Sequence, residues 1–222
     1  YDNMGIMSIN IIEDRLAILG RKGHWSIGVK IIEKRLQENI GSEKDKLLLL
    51  LASFLYHDSF KNRQYDINSN EGLIRSVRIC EEIIKKGKSL KDNISINANI
   101  FLAQILATAG EKRAITIARR THRILASPLS SNRLANVYEI LGNVELAKKY
   151  YAEHERLSLK NGDKMAYVYL NLAVFYKNIG DIETARIYLK KMKTLKKDKF
   201  YKTASRAARL FFNKKTIQQS CG

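Results

Sequence analysis

Apolar residues recur along this chain at the three- and four-residue steps of helices, and glycines interrupt them at intervals. Ile12, Leu16 and Leu19 share one helical face; Gly20 and Gly23 break it; Ile27, Ile31, Ile32 and Leu36 form a second stripe. This predicts a helical hairpin over Asn10–Gln37. Ser42 opens a second outbound helix that runs to about Asp58, with Asp45 three residues on as an imperfect capping box. Its return begins near Glu71 and carries Leu73, Ile74, Val77, Cys80, Ile83 and Ile84. The connection Ser59–Asn70 is longer than a helical hairpin needs, and such loops are often functional. A third hairpin has Ile96, Ile100, Phe101, Leu102, Ala103 and Leu106 outbound, a turn at Gly110, and Ala114, Ile117, Ala118, Ile124 and Leu125 on the return. Pro128 is expected to close it. At the far end Phe200, Ala204, Ala207, Ala208 and Phe211 share one face, with Lys202, Arg206 and Arg209 elsewhere, as a capping helix requires.

Between Ser131 and Leu195 the pattern is stated twice. Leu134, Ala135, Tyr138, Gly142 and Ala147 are followed, each 38 residues later, by Leu172, Ala173, Tyr176, Gly180 and Ala185. A fixed period in this range marks a stacked repeat. A small residue in the outbound helix, an aromatic three on, a glycine turn and an alanine in the return helix resemble the tetratricopeptide repeat. Leu-Ala-x-x-Tyr stands for that family's Leu-Gly-x-x-Tyr, and Ala147…Tyr151 and Ala185…Leu189 for its Ala-x-x-x-aromatic. In the first hairpin Gly28 takes the place of the family's small alanine.

The resemblance implies an all-α, right-handed solenoid of about five such hairpins and a C-terminal capping helix. The chain 1–222 then forms one array, with repeats near 9–38, 43–87, 94–128, 131–160 and 166–197 and the capping helix at 199–213. The chain opens on Tyr1 with no charged-then-apolar leader, and is expected to be a fragment of something longer.

Composition narrows the function. Two cysteines, Cys80 and Cys221, are too few and too far apart for a disulfide scaffold or a zinc site, so a reducing, cytoplasmic setting is expected. No apolar run is long enough to span a membrane. The net charge is +18. From Lys190 to Lys215 there are eleven basic residues against one acid, Asp198. That tail is either a solvated face or a surface for nucleic acid or an acidic partner.

No catalytic constellation is visible. His24, His57, His122 and His154 lie in different repeats without metal-ligand spacing, and no phosphate loop exists. Asp66–Asn70 begins like a calcium loop, but Glu71 and Val77 stand where glycine and glutamate are required, which excludes it. No cofactor is expected, and the chain is not expected to be an enzyme.

What remains is recognition. In the family the outbound helices line a hollow groove that holds extended peptides. The resemblance places Asn132, Arg133, Asn136 and Glu139 there in the fourth repeat. It adds Tyr167, Leu170, Asn171, Val174, Lys177 and Asn178 in the fifth, and Asn97, Phe101 and Gln104 in the third. Asn136 and Asn171 are the expected grips, since a side-chain amide both donates to and accepts from a backbone. Arg133 and Lys177 would favour an acidic ligand. The expected function is a protein-interaction module, as scaffold or as sensor of a larger regulatory protein such as a defence-related signalling ATPase. The alternative is a nucleic-acid binder that uses the basic tail and the cluster Lys112, Arg113, Arg119, Arg120, Arg123, with weak and sequence-blind affinity.

Overall fold

Leu, Ile, Ala and Lys are abundant, proline occurs once, and the glycines stand between apolar stripes, so helix is the favoured conformation of each stripe. The computed structural model describes residues 9–38, 41–61, 66–87, 92–163, 165–196 and 200–212. Among them the regular structure is all helical. The helices are α1 (Ile9–Arg21), α2 (Trp25–Leu36), α3 (Lys44–Lys61), α4 (Glu71–Lys86), α5 (Asn93–Thr108) and α6 (Arg113–Leu125). They continue with α7 (Pro128–Ile140), α8 (Val144–Asn161), α9 (Met165–Asn178), α10 (Ile182–Thr194) and α11 (Tyr201–Phe211). The chain divides into two compact units, Tyr1–Ile124 and Leu125–Gly222.

In the first unit α2 packs on α1 and α3, α4 on α3 and α5, and α5 also reaches α3. Leu16, Ile32, Leu47, Leu51, Leu73, Cys80, Ile83, Ile105 and Leu106 are buried between them. Gly28 is essential to this packing. A Cβ there would lie 2.1 Å from Cε1 of Phe54, so nothing larger than hydrogen fits without moving the ring. Phe54 in turn meets Trp25 edge-on at 5.2 Å, and His57 stacks on the same indole at 4.5 Å. Ile27, expected on the inner stripe, is turned to solvent.

The long connection after α3 is shorter than the sequence suggests, because α3 continues to Lys61. Its far end is pinned. The Ser59 hydroxyl donates to Asn70 Oδ1, which also accepts the Leu73 N–H and so caps α4. Asp66 accepts from the Asn68 N–H and the Ser69 hydroxyl, each at 2.9 Å, which holds its carboxyl below the usual range. The calcium-like run is an Asx turn leading into a helix cap. Residues 62–65, the Ser42 side chain and the segment 216–222 lie outside the described residues.

The second unit shows how the 38-residue repeat is built. Gly142 and Gly180 have φ of +76° and +84°, which L-residues with a side chain rarely adopt. The N–H after each glycine donates back five residues: Asn143 to the Tyr138 carbonyl at 2.8 Å, Asp181 to the Tyr176 carbonyl at 2.9 Å. These are Schellman closures. The same two residues then cap the next helix. Asn143 accepts from the Leu146 N–H and Asp181 from the Thr184 N–H. Gly23 and Gly110 close their helices in the same way, through His24 to Leu19 and Glu111 to Leu106.

Turns of this kind bring paired helices close. Ala135, Ala147, Ala173 and Ala185 are all buried. Tyr138 stacks on Tyr150, and Tyr176 on Tyr188, both with centroids 5.6 Å apart. Tyr150 and Tyr188 are also 38 residues apart in the chain, so this stacked pair is the repeated aromatic contact. The next residues, Tyr151 and Leu189, differ from each other. Pro128 does not end a helix. It is the first residue of α7, behind a capping box formed by Ser127 and Ser130. The last helix, α11, packs on both α9 and α10, as the next outbound helix of an array would. Ala204 and Ala208 join Ala166, Leu170 and Met192 in one core cluster. Phe211, expected on that face, is half exposed.

Ala173→Trp should cost roughly 1–3 kcal/mol or more through overpacking, because Ala173 has no exposed surface. Chemical denaturation measures this directly. An unchanged midpoint would mean that the repeat frame is misplaced.

Candidate functional site

Within the second unit the starts of α7 and α9 and the end of α8 enclose a crevice of about 380 Å³. The Ser127–Ser130 box fixes the first turn of α7, which supplies Pro128, Leu129 and Asn132. Gly162, at φ +67°, ends α8 and turns the chain so that Asp163 stands at the edge. From α9 come Tyr167, Val168 and Asn171. The apolar side chains form the walls, and two asparagine amides belong to one space.

His154 and Ser158 of α8 line the same crevice, and both are buried. The His154 Nδ1 and the Ser158 hydroxyl are 3.3 Å apart. The ring also hydrogen-bonds to the backbone of Pro128; proline has no N–H, so the imidazole is the donor. Burial lowers the His154 pKa below its ordinary value, which favours the neutral ring. No spacing along the chain singles this residue out. Its only mark is that it stands where the next repeat has Met192.

That comparison explains why the crevice exists. Counted 38 residues on, Pro128, Asn132 and His154 become Ala166, Leu170 and Met192. Those three are filled against α11 by Ala204 and Ala208 and form dry core. Where the later repeat has Leu and Met, the earlier one has Asn and His, and the space stays open.

The other expected site residues fall in different places. Asn136 points its amide at the Tyr151 hydroxyl. That hydroxyl donates to Glu139 at 2.7 Å, and the other Glu139 oxygen accepts from the Asn178 amide at 3.0 Å. Burial first, and then Glu139, push the Tyr151 pKa upward. Arg133 is half-buried beside this group, and its Nε has no hydrogen-bond partner among the described residues. Lys177 is drawn to α11: its ammonium donates to the Phe211 carbonyl at 2.5 Å and lies 5.3 Å from the Phe212 ring centre. Leu170, placed on the hollow face by the frame, is buried. Gln104 lies in the first unit, half-buried on α5, where its backbone carbonyl accepts from the Thr108 hydroxyl. Of the six residues singled out, Asn132 and Asn171 share the crevice, and Arg133 and Asn136 share the neighbouring polar group.

Among the described residues no cluster of His, Cys, Asp or Glu could hold a metal ion. No described helix is long and apolar enough to cross a membrane. Cys80 is buried, and its thiol is pushed up to about 12, mainly by desolvation, so it is not a reactive nucleophile.

The family model for the tetratricopeptide repeat matches residues 130–158 and 166–199. The likeness to the tetratricopeptide repeat therefore lies in these two segments. The matched segments hold α7–α8 and α9–α10, the two hairpins that share the glycine closures and tyrosine stacks. No curated protein matches the chain. Tetratricopeptide repeats generally mediate protein–protein interaction.

Exchanging the crevice polar pair for its later counterparts, Asn132→Leu with His154→Met, should fill the space. A buried His with a lowered pKa favours the unfolded chain as pH drops: the unfolded ring takes a proton near 6.5, the folded ring only at lower pH. Its stabilising share is therefore full above about 6.5 and is lost as pH falls towards the lowered value. The double variant should keep its melting temperature at pH 7.5 and lose less of it at pH 5.5 than the parent. A parallel decline in both proteins would show that His154 is not the titrating group.

Proposed function

We propose that the second unit binds an extended protein segment, with the backbone held at the crevice between α7, α8 and α9. The single observation that carries this is the placement of Asn132 and Asn171 around one space with apolar walls. Each amide can donate and accept at once, which suits a peptide unit whatever its side chain. Pro128, Leu129, Tyr167 and Val168 offer apolar surface for one ligand side chain between those grips. A space of this size lies at the lower end of the range for small-ligand pockets, which fits one side chain and its neighbouring backbone.

Asn136 has a different part in this reading. Its amide is engaged with Tyr151 and supports the Glu139–Asn178 contact, so it orders the surface beside the crevice. A preference for acidic ligands rests on the positive charge of half-buried Arg133 in the neighbouring polar group. Lys177 contributes little to it, being committed to the end of α11.

The test uses peptides selected from a random library on the parent protein. Asn132→Ala with Asn171→Ala should weaken their binding about tenfold or more, on the scale of two lost hydrogen bonds. The fold should be unaffected, because alanine is a better helix former than asparagine. Asn136→Ala should lower stability more than it lowers affinity. Equal affinity for the parent and the first double variant would remove the site from this crevice.

A further inference from the structure

The end of α10 and the outer side of α11 form a second surface with a different chemistry. The described residues from 184 to 212 include no Asp or Glu. The acids close by are already used. Glu183 pairs with Arg186 at 2.7 Å, and Glu155 accepts from Tyr188 and from Lys191. Lys191 is further held over the rings of Tyr188 and Tyr169. This leaves Lys190, Lys193, Lys196, Lys202, Arg206 and Arg209, all exposed and without a carboxylate partner among the described residues.

Their spacing is regular. Arg186, Lys190 and Lys193 follow i, i+4, i+7 on α10, and Lys202, Arg206 and Arg209 follow the same steps on α11. Each set makes one stripe, with charges roughly 4.5–6 Å apart along the axis at 1.5 Å per residue. Such a row suits a polymer that carries charge at short, even intervals. Nucleic acid does so, with one phosphate per 3.4 Å of each strand. Tyr201, half-buried at the start of α11, stands beside Lys202. Other polyanions fit less well. The apolar face of α11 is spent on Ala204 and Ala208 in the core, which leaves Phe211 as the one large exposed apolar side chain among its described residues, too little to anchor in a bilayer. A protein partner would need buried apolar anchors, and Ile187 and Phe211 are the only large exposed apolar side chains among these described residues.

We infer that the α10–α11 surface is a second binding site, distinct from the crevice, that takes the phosphate backbone of nucleic acid without reading its sequence. The test is fluorescence anisotropy of the full chain with labelled 20-nucleotide single-stranded RNA and duplex DNA from 50 to 200 mM salt. The variant Lys190→Ala, Lys193→Ala, Lys202→Ala, Arg206→Ala should bind at least tenfold more weakly at 100 mM salt. Its log–log salt slope should be shallower by about 3, at ~0.7–0.9 for each phosphate no longer neutralised. A control with the same formal charge, Lys22→Ala, Lys30→Ala, Lys44→Ala, Lys85→Ala, should stay within about twofold of the parent. Circular dichroism checks that both variants are folded. Equal losses in the two variants would reduce the effect to net charge and overturn the proposal. So would an undetectable parent complex at 50 mM salt. Binding to phosphatidylserine vesicles or polyglutamate as tight as to nucleic acid, and abolished in the first variant, would assign the surface to those ligands instead.

Discussion

Everything in the second unit depends on a two-residue device, Gly142-Asn143 and its copy Gly180-Asp181. The glycine adopts a left-handed conformation that ends one helix, and the next residue both completes that closure and caps the helix that follows. Helix ends otherwise leave backbone groups without partners. Here one dipeptide satisfies groups at both ends, so the two helices can be joined with almost no loop. Antiparallel neighbours this tightly joined must then pack closely, which demands alanine at 135, 147, 173 and 185. The tyrosine stacks fill the space beside those alanines. The glycine conformation, the alanine contacts and the tyrosine pairs therefore belong to one geometric requirement.

That requirement is also why the fold was legible in the sequence. A glycine at a left-handed turn and an alanine at a close helix contact tolerate few substitutes, so they recur in register. Gly28 in the first unit is similarly constrained, since a Cβ there would force the buried Phe54 ring to move. What was less legible were the parts set by side chains in more than one plausible role. Asn143 and Asp181 read as ordinary polar residues unless the turn before them is known. Pro128 could close one helix or open the next, and the deciding signal was Ser127, whose hydroxyl caps α7. Phe211 kept the helical spacing of a core face, yet the small side chains Ala204 and Ala208 already bring α11 onto the cluster, and Phe211 lies towards solvent.

The residues expected at the site were placed by helical face alone, and the structure distributes them over more than one local environment. Counting from Leu-Ala-x-x-Tyr gives the helical face, but a helical face is wide. Asn132 and Asn136 are one turn apart on α7, and only the first lies in the crevice, while the second is claimed by a buried tyrosine hydroxyl. Lys177 looked available because its partner, the Phe211 carbonyl, is a backbone group 34 residues later that carries no sequence mark. Polar residues near a tertiary acceptor are the ones that periodicity misjudges most readily.

The two repeats differ where the difference can act. At the glycine, alanine and tyrosine positions that shape the hairpin they are the same; at 132 and 154 against 170 and 192 they are not. Leu170 and Met192 close their space against α11 and so terminate the apolar ridge. Asn132 and His154 at the same places leave about 380 Å³ open against α9. Keeping a buried imidazole there requires partners for both ring nitrogens, and Ser158 and the Pro128 backbone supply them. Leucine and methionine would need none and would seal the unit more simply. A repeat protein that only needed to stack would gain by repeating Leu170 and Met192. The retention of a polar and open pair, with its buried imidazole hydrogen-bonded, beside an otherwise dry core is the physical argument for the proposed binding at this space.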